Sequence, residues 1–292
     1  MDSLRELLQR STELSGLPSD NLPVQTQEER EQAKCDFYNA SEGDLHFVDG
    51  YSCAKCKNKG YIAVVTFNEM YGYYAETLTR CKCMKVRSAI RKLEKSGLQN
   101  AVKACTFDRF ETHDSWQDHI KKAAMRFCED EAAHCFFIGG QSGAGKTHLC
   151  TAITVHFIRQ GIAAHYMKWR DEIVRIKASV NEPDKYHALM QELKTVPVLY
   201  IDDLFKVGVN PQDGMARPTV ADVNAAFEII NHRCTQPGLI TIISSERTLP
   251  ELLAIDEATA GRIAEKSKEG GYCINLKRDS SRNWRLRGME GI

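Results

Sequence analysis

The spacing of apolar positions predicts two different kinds of structure along this chain. Between residues 47 and 83 it predicts two β-strands, Tyr61–Phe67 and Tyr73–Thr79, and the segment 68–72 that joins them has hairpin character. A basic helical stretch from Met84 to Lys95 follows. These elements predict a small first module.

From about Ala104 onward, short apolar runs alternate with helical spacing. The predicted strands are His134–Ile138, Ala163–Met167, Val196–Ile201, Leu239–Ile243 and Tyr272–Leu276. The predicted helices are 114–132, 146–159, 169–178, 183–194 and 220–233. Strands that alternate with helices argue for a parallel sheet covered by helices on both faces, so the predicted fold class is α/β.

The beginning of the chain is less regular. Leucines at helical spacing predict a short amphipathic helix over residues 2–14, which Gly16 and Pro18 end. The polar stretch that continues to about residue 34 is typical of a linker or a surface helix. Residues 1–45 are therefore expected to form a helical and linker segment.

Composition and charge exclude several classes of protein. The chain has 292 residues, 42% of them apolar, and a formal net charge of zero, so bulk charge predicts no particular partner. The start of the chain carries charges and lacks the apolar core of a secretory signal. Its apolar runs are too short to span a bilayer. We therefore expect a soluble, cytoplasmic protein.

A glycine-rich loop carries the strongest chemical signal. Residues 140–147 match the pattern G-x-x-x-x-G-K-[ST] between an apolar strand and a helix, where backbone amides and the helix dipole favour phosphate. Lys146 would contact the β- and γ-phosphates, and the Thr147 hydroxyl would bind magnesium. The predicted nucleotide-binding residues here are Gly140, Gln141, Ser142, Gly143, Ala144, Gly145, Lys146, Thr147 and His148.

Two later strands end in polar residues that belong beside this loop. Val196–Ile201 delivers Asp202 and Asp203 at its carboxyl end, where Asp202 would bind magnesium and Asp203 would polarise the attacking water. The strand Leu239–Ile243 is followed by Ser244, Ser245 and Glu246. Ser245 is a candidate sensor of the γ-phosphate, and the alternative is that these residues cap the next helix.

Four of the eleven cysteines form two close pairs that bracket the predicted hairpin, namely Cys53, Cys56, Cys81 and Cys83. Four thiolates suit a structural zinc site, with an iron–sulfur cluster or thiols without a metal as alternatives. Six others are scattered through the predicted α/β part and are expected to be inert core thiols, and Cys35 stands alone in a polar stretch.

Basic residues concentrate in two segments, at 82–103 and at 277–287. Either segment could meet a nucleic-acid backbone or an acidic partner, although most charged runs are solvated faces. Arg262 is expected at the start of a helix, where it could reach the γ-phosphate of a neighbouring subunit. A surface arginine is the alternative.

The combined motifs resemble the DnaC/DnaI-type replicative helicase loaders of the AAA+ ATPases, especially the phage and prophage versions. The resemblance covers most of the chain from about Tyr51. It rests on the cysteine quartet, Ser96-Gly97-Leu98, Thr106-Phe107-Asp108-Arg109-Phe110, Gly140–Thr147, Asp202-Asp203-Leu204, Ile229–Arg233, Thr241–Glu246, Gly261-Arg262-Ile263 and Asp279–Arg282. It departs at Glu246, where many relatives have Asn, and over the first 45 residues.

The resemblance implies an AAA+ ATP-binding domain at 104–292 and a zinc-binding, partner-docking module at 46–103. It implies binding of ATP, magnesium, single-stranded DNA and a hexameric replicative helicase, with release on hydrolysis and self-assembly into a ring or spiral. Phe107 and Phe110 would line the adenine pocket, Arg262 would act in trans, and Arg282 would approach the γ-phosphate. The segment at about 169–195 would help to contact DNA.

Other functions share some of these features. A transposition helper ATPase has the same AAA+ core, but such helpers usually lack the cysteine-bearing hairpin. Some nucleotide kinases combine a P-loop with a zinc-binding lid, but in the reverse chain order. A zinc-bearing nucleic-acid binder without catalysis would not need Lys146 or Asp202.

Overall fold

The structure is a computed structural model and describes residues 25–93, 104–207 and 217–286. Contacts divide the described residues into two units, one holding 25–44 and 52–81 and the other holding 45–51 and the residues from Lys82 onward. The helix predicted over residues 2–14 lies outside the described residues.

The smaller unit consists of one helix and one hairpin. Helix α1 (Gln27–Ala40) begins at Thr26, whose side chain and that of Glu29 cap each other's backbone amides. Strands β1 (Tyr61–Asn68) and β2 (Tyr73–Arg80) pair antiparallel, which confirms the predicted hairpin. The polar stretch therefore contributes to a helix, and Cys35 is fully buried within it.

The described part of the larger unit begins with two helices. They are α2 (Leu45–Asp49) and α3 (Cys83–Leu93), which confirms the start of the predicted basic helix, whereas its predicted end lies outside the described residues. Arg87 on α3 is completely buried and forms an ion pair with Asp49. At this position the expectation of a solvated basic face is wrong, because Arg87 faces the interior.

Five parallel strands form the sheet of the larger unit in the order β4-β5-β6-β3-β7. The strands are β3 (Cys135–Gly140), β4 (Ala164–Lys168), β5 (Val198–Asp202), β6 (Ile240–Ser245) and β7 (Cys273–Leu276). The helices are α4 (Ser115–Glu129), α5 (Lys146–Arg159), α6 (Trp169–Ala178), α7 (Pro183–Thr195), α8 (Val220–Thr235), α9 (Leu249–Leu253) and α10 (Glu257–Ser267). Three short 3₁₀ turns lie at Glu269–Gly271, Ser280–Arg282 and Trp284–Leu286.

Helices cover both faces of this sheet. Along β3, Phe136 belongs to a core cluster shared with α4 and α5, whereas Phe137 belongs to a second cluster shared with α6, α8 and α10. Successive residues of a strand point to opposite faces, so a strand that is apolar throughout must be buried on both. The α/β fold class is confirmed.

Within residues 25–93, 104–207 and 217–286, no helix is both long and apolar enough to cross a membrane.

Candidate functional site

The glycine-rich loop lies between β3 and α5, in the backbone conformation that its sequence requires. Gly140 has a φ of 108°, and a Cβ added there would lie 2.1 Å from the carbonyl oxygen of Leu276. Gly145 has a φ of 83° and is the N-cap residue of α5. A Cβ added at Gly145 would collide with the Phe110 ring. Both positions favour glycine, because other residues rarely adopt a positive φ.

Lys146 is the first residue of α5 and is only 6% exposed. Its Nζ donates hydrogen bonds to the carbonyl oxygens of Gly140 at 2.9 Å and Gln141 at 2.7 Å. Burial lowers the pKa of this ammonium, and the nearby carboxylates of Asp203 and Glu246 oppose that shift. The side chain therefore spans the loop that would surround the phosphates.

Asp202 is the last residue of β5, and its carboxylate accepts hydrogen bonds from hydroxyl groups on β4, β5 and β6. Tyr166 on β4 donates to its Oδ2 at 2.8 Å, and Tyr200 donates to its Oδ1 at 2.7 Å. Ser244 on β6 also donates to Oδ1. Burial, together with this carboxylate, raises the pKa of both tyrosines, so the phenols remain protonated donors.

Thr147 Oγ1 lies 3.4 Å from Asp202 Oδ1, so the two predicted magnesium ligands are adjacent. A hydroxyl and a carboxylate are the oxygen ligands that magnesium prefers, usually with water and substrate phosphates completing the shell. The pair fits a magnesium ion bound together with a nucleotide.

Asp203 turns toward a different partner. Its φ is 57°, and Lys206 Nζ lies 2.9 Å from its Oδ2 and 2.9 Å from Glu246 Oε1. The backbone amide of Asp203 donates to Ser244 Oγ at 3.1 Å. An acid at a strand end, a lysine and a second acid thus form one chain of ion pairs beside the loop.

Lys146, Thr147 and the ion-paired Asp203, Lys206 and Glu246 line one cavity of about 420 Å³, whereas Asp202 does not line it. Its lining combines the phosphate loop with aromatic and charged side chains, namely Arg109, Phe110, Glu111, Trp116, Gln117, Ser142, Gly143, Ala144, Gly145, Lys146, Thr147, His148, Asp203, Lys206, Glu246, Arg282, Trp284 and Arg285. Such a volume is in the range of small-ligand pockets. Most of the predicted nucleotide-binding residues therefore converge on one space.

The C-terminal 3₁₀ turns pack directly on the loop. The backbone amide of Trp284 donates to the Gly143 carbonyl at 3.0 Å, and the amide of Asp279 donates to Gln141 Oε1 at 3.0 Å. The guanidinium of Arg282 lies 5.2 Å from the centre of the Trp116 ring, which is a cation–π contact. This segment brings Arg282 to the cavity, where the sequence predicted it.

Three predicted site residues lie elsewhere. Ser245 is buried and donates to the Leu204 carbonyl at 2.9 Å, and the following helix is capped by Thr248. Phe107 packs against the core cluster on the α4 and α5 face. Arg262 is the sixth residue of α10, so its expected position at the start of a helix is wrong.

The four clustered cysteines converge without a disulfide among the described residues. The sulfurs of Cys53, Cys56, Cys81 and Cys83 all lie within 4.8 Å of one another, and those of Cys53 and Cys81 are 3.9 Å apart. Four thiolates at about 2.3 Å from one ion would stand roughly this far apart. The quartet therefore fits a tetrahedral zinc ion.

The loop that holds the first two of these cysteines is fixed locally. Asn58, with a φ of 65°, accepts the Cys53 amide on its side-chain oxygen at 2.8 Å. The Gly60 amide donates to Cys56 Sγ at 3.3 Å. These two bonds fix the backbone that carries both sulfurs.

The scattered cysteines are buried to different degrees. Cys135 and Cys150 are fully buried, and burial raises the pKa of both thiols well above the ordinary value. Cys105, Cys128, Cys234 and Cys273 are only partly buried. The expectation of core thiols is thus confirmed for two of the six.

Comparison with known proteins identifies the family. The family model described as "IstB-like ATP binding protein" matches residues 74–281, which is more than half of the chain. The chain belongs to the IstB-like ATP-binding proteins. The family description therefore indicates that the nucleotide bound by this loop and cavity is ATP.

The chain is also similar to individual proteins. YqaM of Bacillus subtilis (strain 168) is 31% identical over 68% of this chain, which spans 64% of YqaM. The phage-like element PBSX protein XkdC of the same organism is 28% identical over 82% of this chain and 88% of XkdC. The replicative helicase loader DnaC of Buchnera aphidicola subsp. Acyrthosiphon pisum (strain APS) is 28% identical over 42% of this chain and 50% of DnaC.

Two solved structures are also similar to this chain. A crystal structure of the DnaC helicase loader is 22% identical and covers 59% of this chain and 94% of its own, with a TM-score of 0.44. A crystal structure of DnaI is 18% identical and covers 62% of this chain and 92% of its own, with a TM-score of 0.45. Membership of the IstB-like family rests on the sequence match.

Several residues in the cavity of this IstB-like protein were not singled out from the sequence. Trp116 follows the start of α4, Trp284 follows Arg282 by two positions, and Lys206 follows Asp203 by three. The signal for Lys206 was its closeness to the acidic pair. Nothing in the local sequence pattern connects the two tryptophans, which are far apart in the chain.

Proposed function

We propose that this chain is an ATP-dependent loader of the replicative helicase, which delivers that hexamer to single-stranded DNA and is released on ATP hydrolysis. The observation that carries the proposal is the combination, in one chain, of a P-loop cavity and a preceding four-cysteine cluster. Relatives named replicative helicase loader DnaC support the same direction. The family assignment supports the ATPase part.

At the nucleotide, the side chains divide the work. Lys146 and the loop amides would bind the phosphates, and Arg282 would add charge on the opposite wall of the cavity. Thr147 and Asp202 would hold magnesium, which supplies Lewis-acid stabilisation of phosphate charge. Asp203 would accept a hydrogen bond from the attacking water, with its carboxylate held at the strand end. We assign Phe110 and His148 to the nucleotide wall, because both line the cavity.

The remaining predicted residues receive roles outside the cavity or none at the phosphates. Arg262 would act on the nucleotide of a neighbouring subunit, because its side chain is 43% exposed on α10. Ser245 would support the fold of β6, since its hydroxyl donates a hydrogen bond to the Leu204 carbonyl. Phe107 would have a packing role, since it lies against the core cluster and does not line the cavity.

The cysteine-bearing hairpin would be the part that docks on the helicase. A four-cysteine zinc site leaves no open position on the metal, so zinc would have a structural role and would take no part in hydrolysis. Aromatic and sulfur-containing side chains are exposed around the hairpin turn, including Phe67, Met70 and Tyr71. Such side chains are enriched at protein interfaces.

The test combines binding and turnover. The purified chain is passed over the immobilised replicative helicase of its host with and without ATP, and ATP hydrolysis is measured with and without single-stranded DNA. We expect ATP-dependent retention and DNA-stimulated hydrolysis, both lost in Lys146→Ala and both kept in Lys122→Ala. Lys122 is a suitable control because it forms an exposed ion pair with Asp118 on α4 and does not line the cavity. Absence of both signals in the unmodified chain would contradict the proposal.

A transposition helper ATPase is the second candidate, and the IstB-like family description is the observation that favours it. Such a helper would bind double-stranded DNA and a transposase, and it would not be retained by the helicase. Competition between single- and double-stranded DNA in the hydrolysis assay separates the two. Phosphate transfer to a nucleoside monophosphate would instead indicate a kinase.

A further inference from the structure

A strained turn follows the acidic pair at the end of β5. Asp203 and Phe205 both have a positive φ, 57° and 59°, although neither is glycine. The turn is closed by the Lys206 amide, which donates to the Asp203 carbonyl at 2.9 Å. It is anchored to β6 by the Leu204 amide, which donates to the Ser244 carbonyl at 2.9 Å. Strain of this kind persists where the surrounding structure fixes it, and it clusters at functional sites.

The turn presents Lys206 to the nucleotide cavity. Its Nζ lies 2.9 Å from Asp203 Oδ2 and 2.9 Å from Glu246 Oε1, so one ammonium bridges two carboxylates from two strand ends. All three side chains line the cavity with the phosphate loop. The Lys206 side chain is 39% exposed, so it can be reached by a ligand in that cavity.

Charge explains why a cation is needed here. Without Lys206, no cation would be bonded between the carboxylates of Asp203 and Glu246 where they face a triphosphate. The nearby Lys146 ammonium donates instead to two carbonyls of the phosphate loop. Like charges at such short range oppose one another, and anionic phosphates would be repelled by both. Although burial lowers the pKa of Lys206, its bonds to Glu246 and Asp203 outweigh burial and raise it, so the bridge is charged at neutral pH.

We propose that Lys206 is a positioning residue for ATP hydrolysis: its ammonium holds the Asp203 carboxylate in place and offsets the charge of Glu246 beside the phosphates. The inference rests on the proposed ATPase function. The inference also explains the acid at position 246, because a carboxylate at this strand end needs a cation in contact with it. Lys206 and Glu246 therefore form one functional unit with Asp203.

A purely structural role for Lys206 predicts a different result. An exposed ion pair contributes little to folding, so its loss should hardly change the melting temperature. A positioning role instead predicts separable effects on kcat and KM. Loss of the ammonium should lower kcat, because Asp203 is no longer held, and raise KM, because two uncompensated carboxylates oppose ATP.

The experiment compares four variants of the full chain in steady-state ATP hydrolysis: Lys206→Met, Lys206→Arg, Glu246→Gln and the double variant Lys206→Met/Glu246→Gln. We expect Lys206→Met to lower kcat at least about tenfold and to raise KM several-fold. Lys206→Arg should keep most of both values. The double variant should recover KM but not kcat, because the repulsion is removed while Asp203 remains unsupported. Lys122→Met, which removes an exposed lysine paired with an acid on its own helix α4, is the matched control.

Each outcome decides the inference. If Lys206→Met hydrolyses ATP like the unmodified chain, or if its loss of kcat is accompanied by an equal loss in Lys122→Met, Lys206 is not a positioning residue. A double variant that recovers kcat as well as KM would also show that Lys206 does not hold the Asp203 carboxylate in place. If the unmodified chain itself does not hydrolyse ATP, the proposed function fails first. Melting curves for every variant identify a loss that comes from unfolding.

Discussion

At the scale of single residues, the cavity is built from aromatic side chains as much as from the phosphate loop. Trp116 and Trp284 line it, and the Trp284 ring stacks on His113 with ring centres 5.5 Å apart and an interplanar angle of 14°. The third tryptophan, Trp169, is fully buried in the core cluster on the other face of the sheet. The two kinds of tryptophan therefore report on different parts of the molecule.

This difference leads to a prediction about fluorescence. ATP binding should change the tryptophan emission of the unmodified chain, because Trp116 and Trp284 lie in the cavity. In Trp116→Phe/Trp284→Phe the change should disappear, while the emission of Trp169 remains and still reports unfolding in urea. A nucleotide-dependent change that survives in the double variant would show that ATP binds away from this cavity. Titration by calorimetry supplies the binding constant for both proteins.

The sequence pattern predicted which strands carry polar ends but not which side chain at those ends meets Asp202. Ser244 and Ser245 are neighbours on β6, and their side chains point to opposite faces because strand side chains alternate. The register of β6 against β5, with Ile243 opposite Ile201, places Ser244 beside Asp202. That register depends on tertiary packing, and a one-residue shift exchanges the two faces.

At the scale of elements, boundaries followed from periodicity wherever a segment was strongly amphipathic or wholly apolar. Helix α6 was predicted at 169–178 and has those bounds, and the hairpin strands end within one residue of their predicted ends. The burial of Arg87 was not predictable, because charge alone indicated a solvated helix. Its partner Asp49 lies on a separate short helix that the apolar pattern did not reveal.

Removing one partner of this buried pair should be costly. Arg87 and Asp49 have side chains that are 0% and 3% exposed, so Arg87→Met would leave a carboxylate buried without its main cation. We expect a loss of about 3–5 kcal/mol in the free energy of unfolding, measured in urea. Arg87→Met/Asp49→Asn should lose less than the single variant, because it removes both charges. A single variant as stable as the unmodified chain would contradict the pairing.

The hairpin and its cysteines form the second element-scale prediction. Cys53→Ser/Cys81→Ser removes two of the four converging sulfurs, so zinc content by mass spectrometry should fall from one ion per chain to none. Calorimetric binding of ATP should stay within about twofold of the unmodified chain, because none of the four cysteines lines the nucleotide cavity. The matched control is Cys105→Ser, whose thiol lies outside the quartet. Zinc retained at one ion per chain would show that the quartet is not the metal site.

At the scale of the whole molecule, the nucleotide cavity contains one predicted catalytic arginine and lacks the other. Arg282 lines it, whereas Arg262 lies on α10, where it bonds to Asn231 at 3.1 Å and Glu265 at 3.0 Å. If Arg262 takes part in hydrolysis, it must therefore act on the nucleotide of a second copy, and the alternative is a surface arginine without a catalytic role. The proposed ring or spiral supplies that copy, since a head-to-tail interface repeats the same contact between successive subunits.

Mixing two inactive variants tests this directly. Lys146→Ala keeps Arg262 but should not bind ATP, and Arg262→Ala should bind ATP but lack the arginine that its neighbours need. We expect each variant alone to hydrolyse ATP at least about a hundredfold more slowly than the unmodified chain, since a trans arginine contributes factors of this size or larger. An equimolar mixture should regain a clear fraction of the activity, because Lys146→Ala subunits then present Arg262 to ATP held by Arg262→Ala subunits. Activity in the mixture no higher than the average of the two variants, with co-assembly verified by light scattering, would show that Arg262 does not act across subunits.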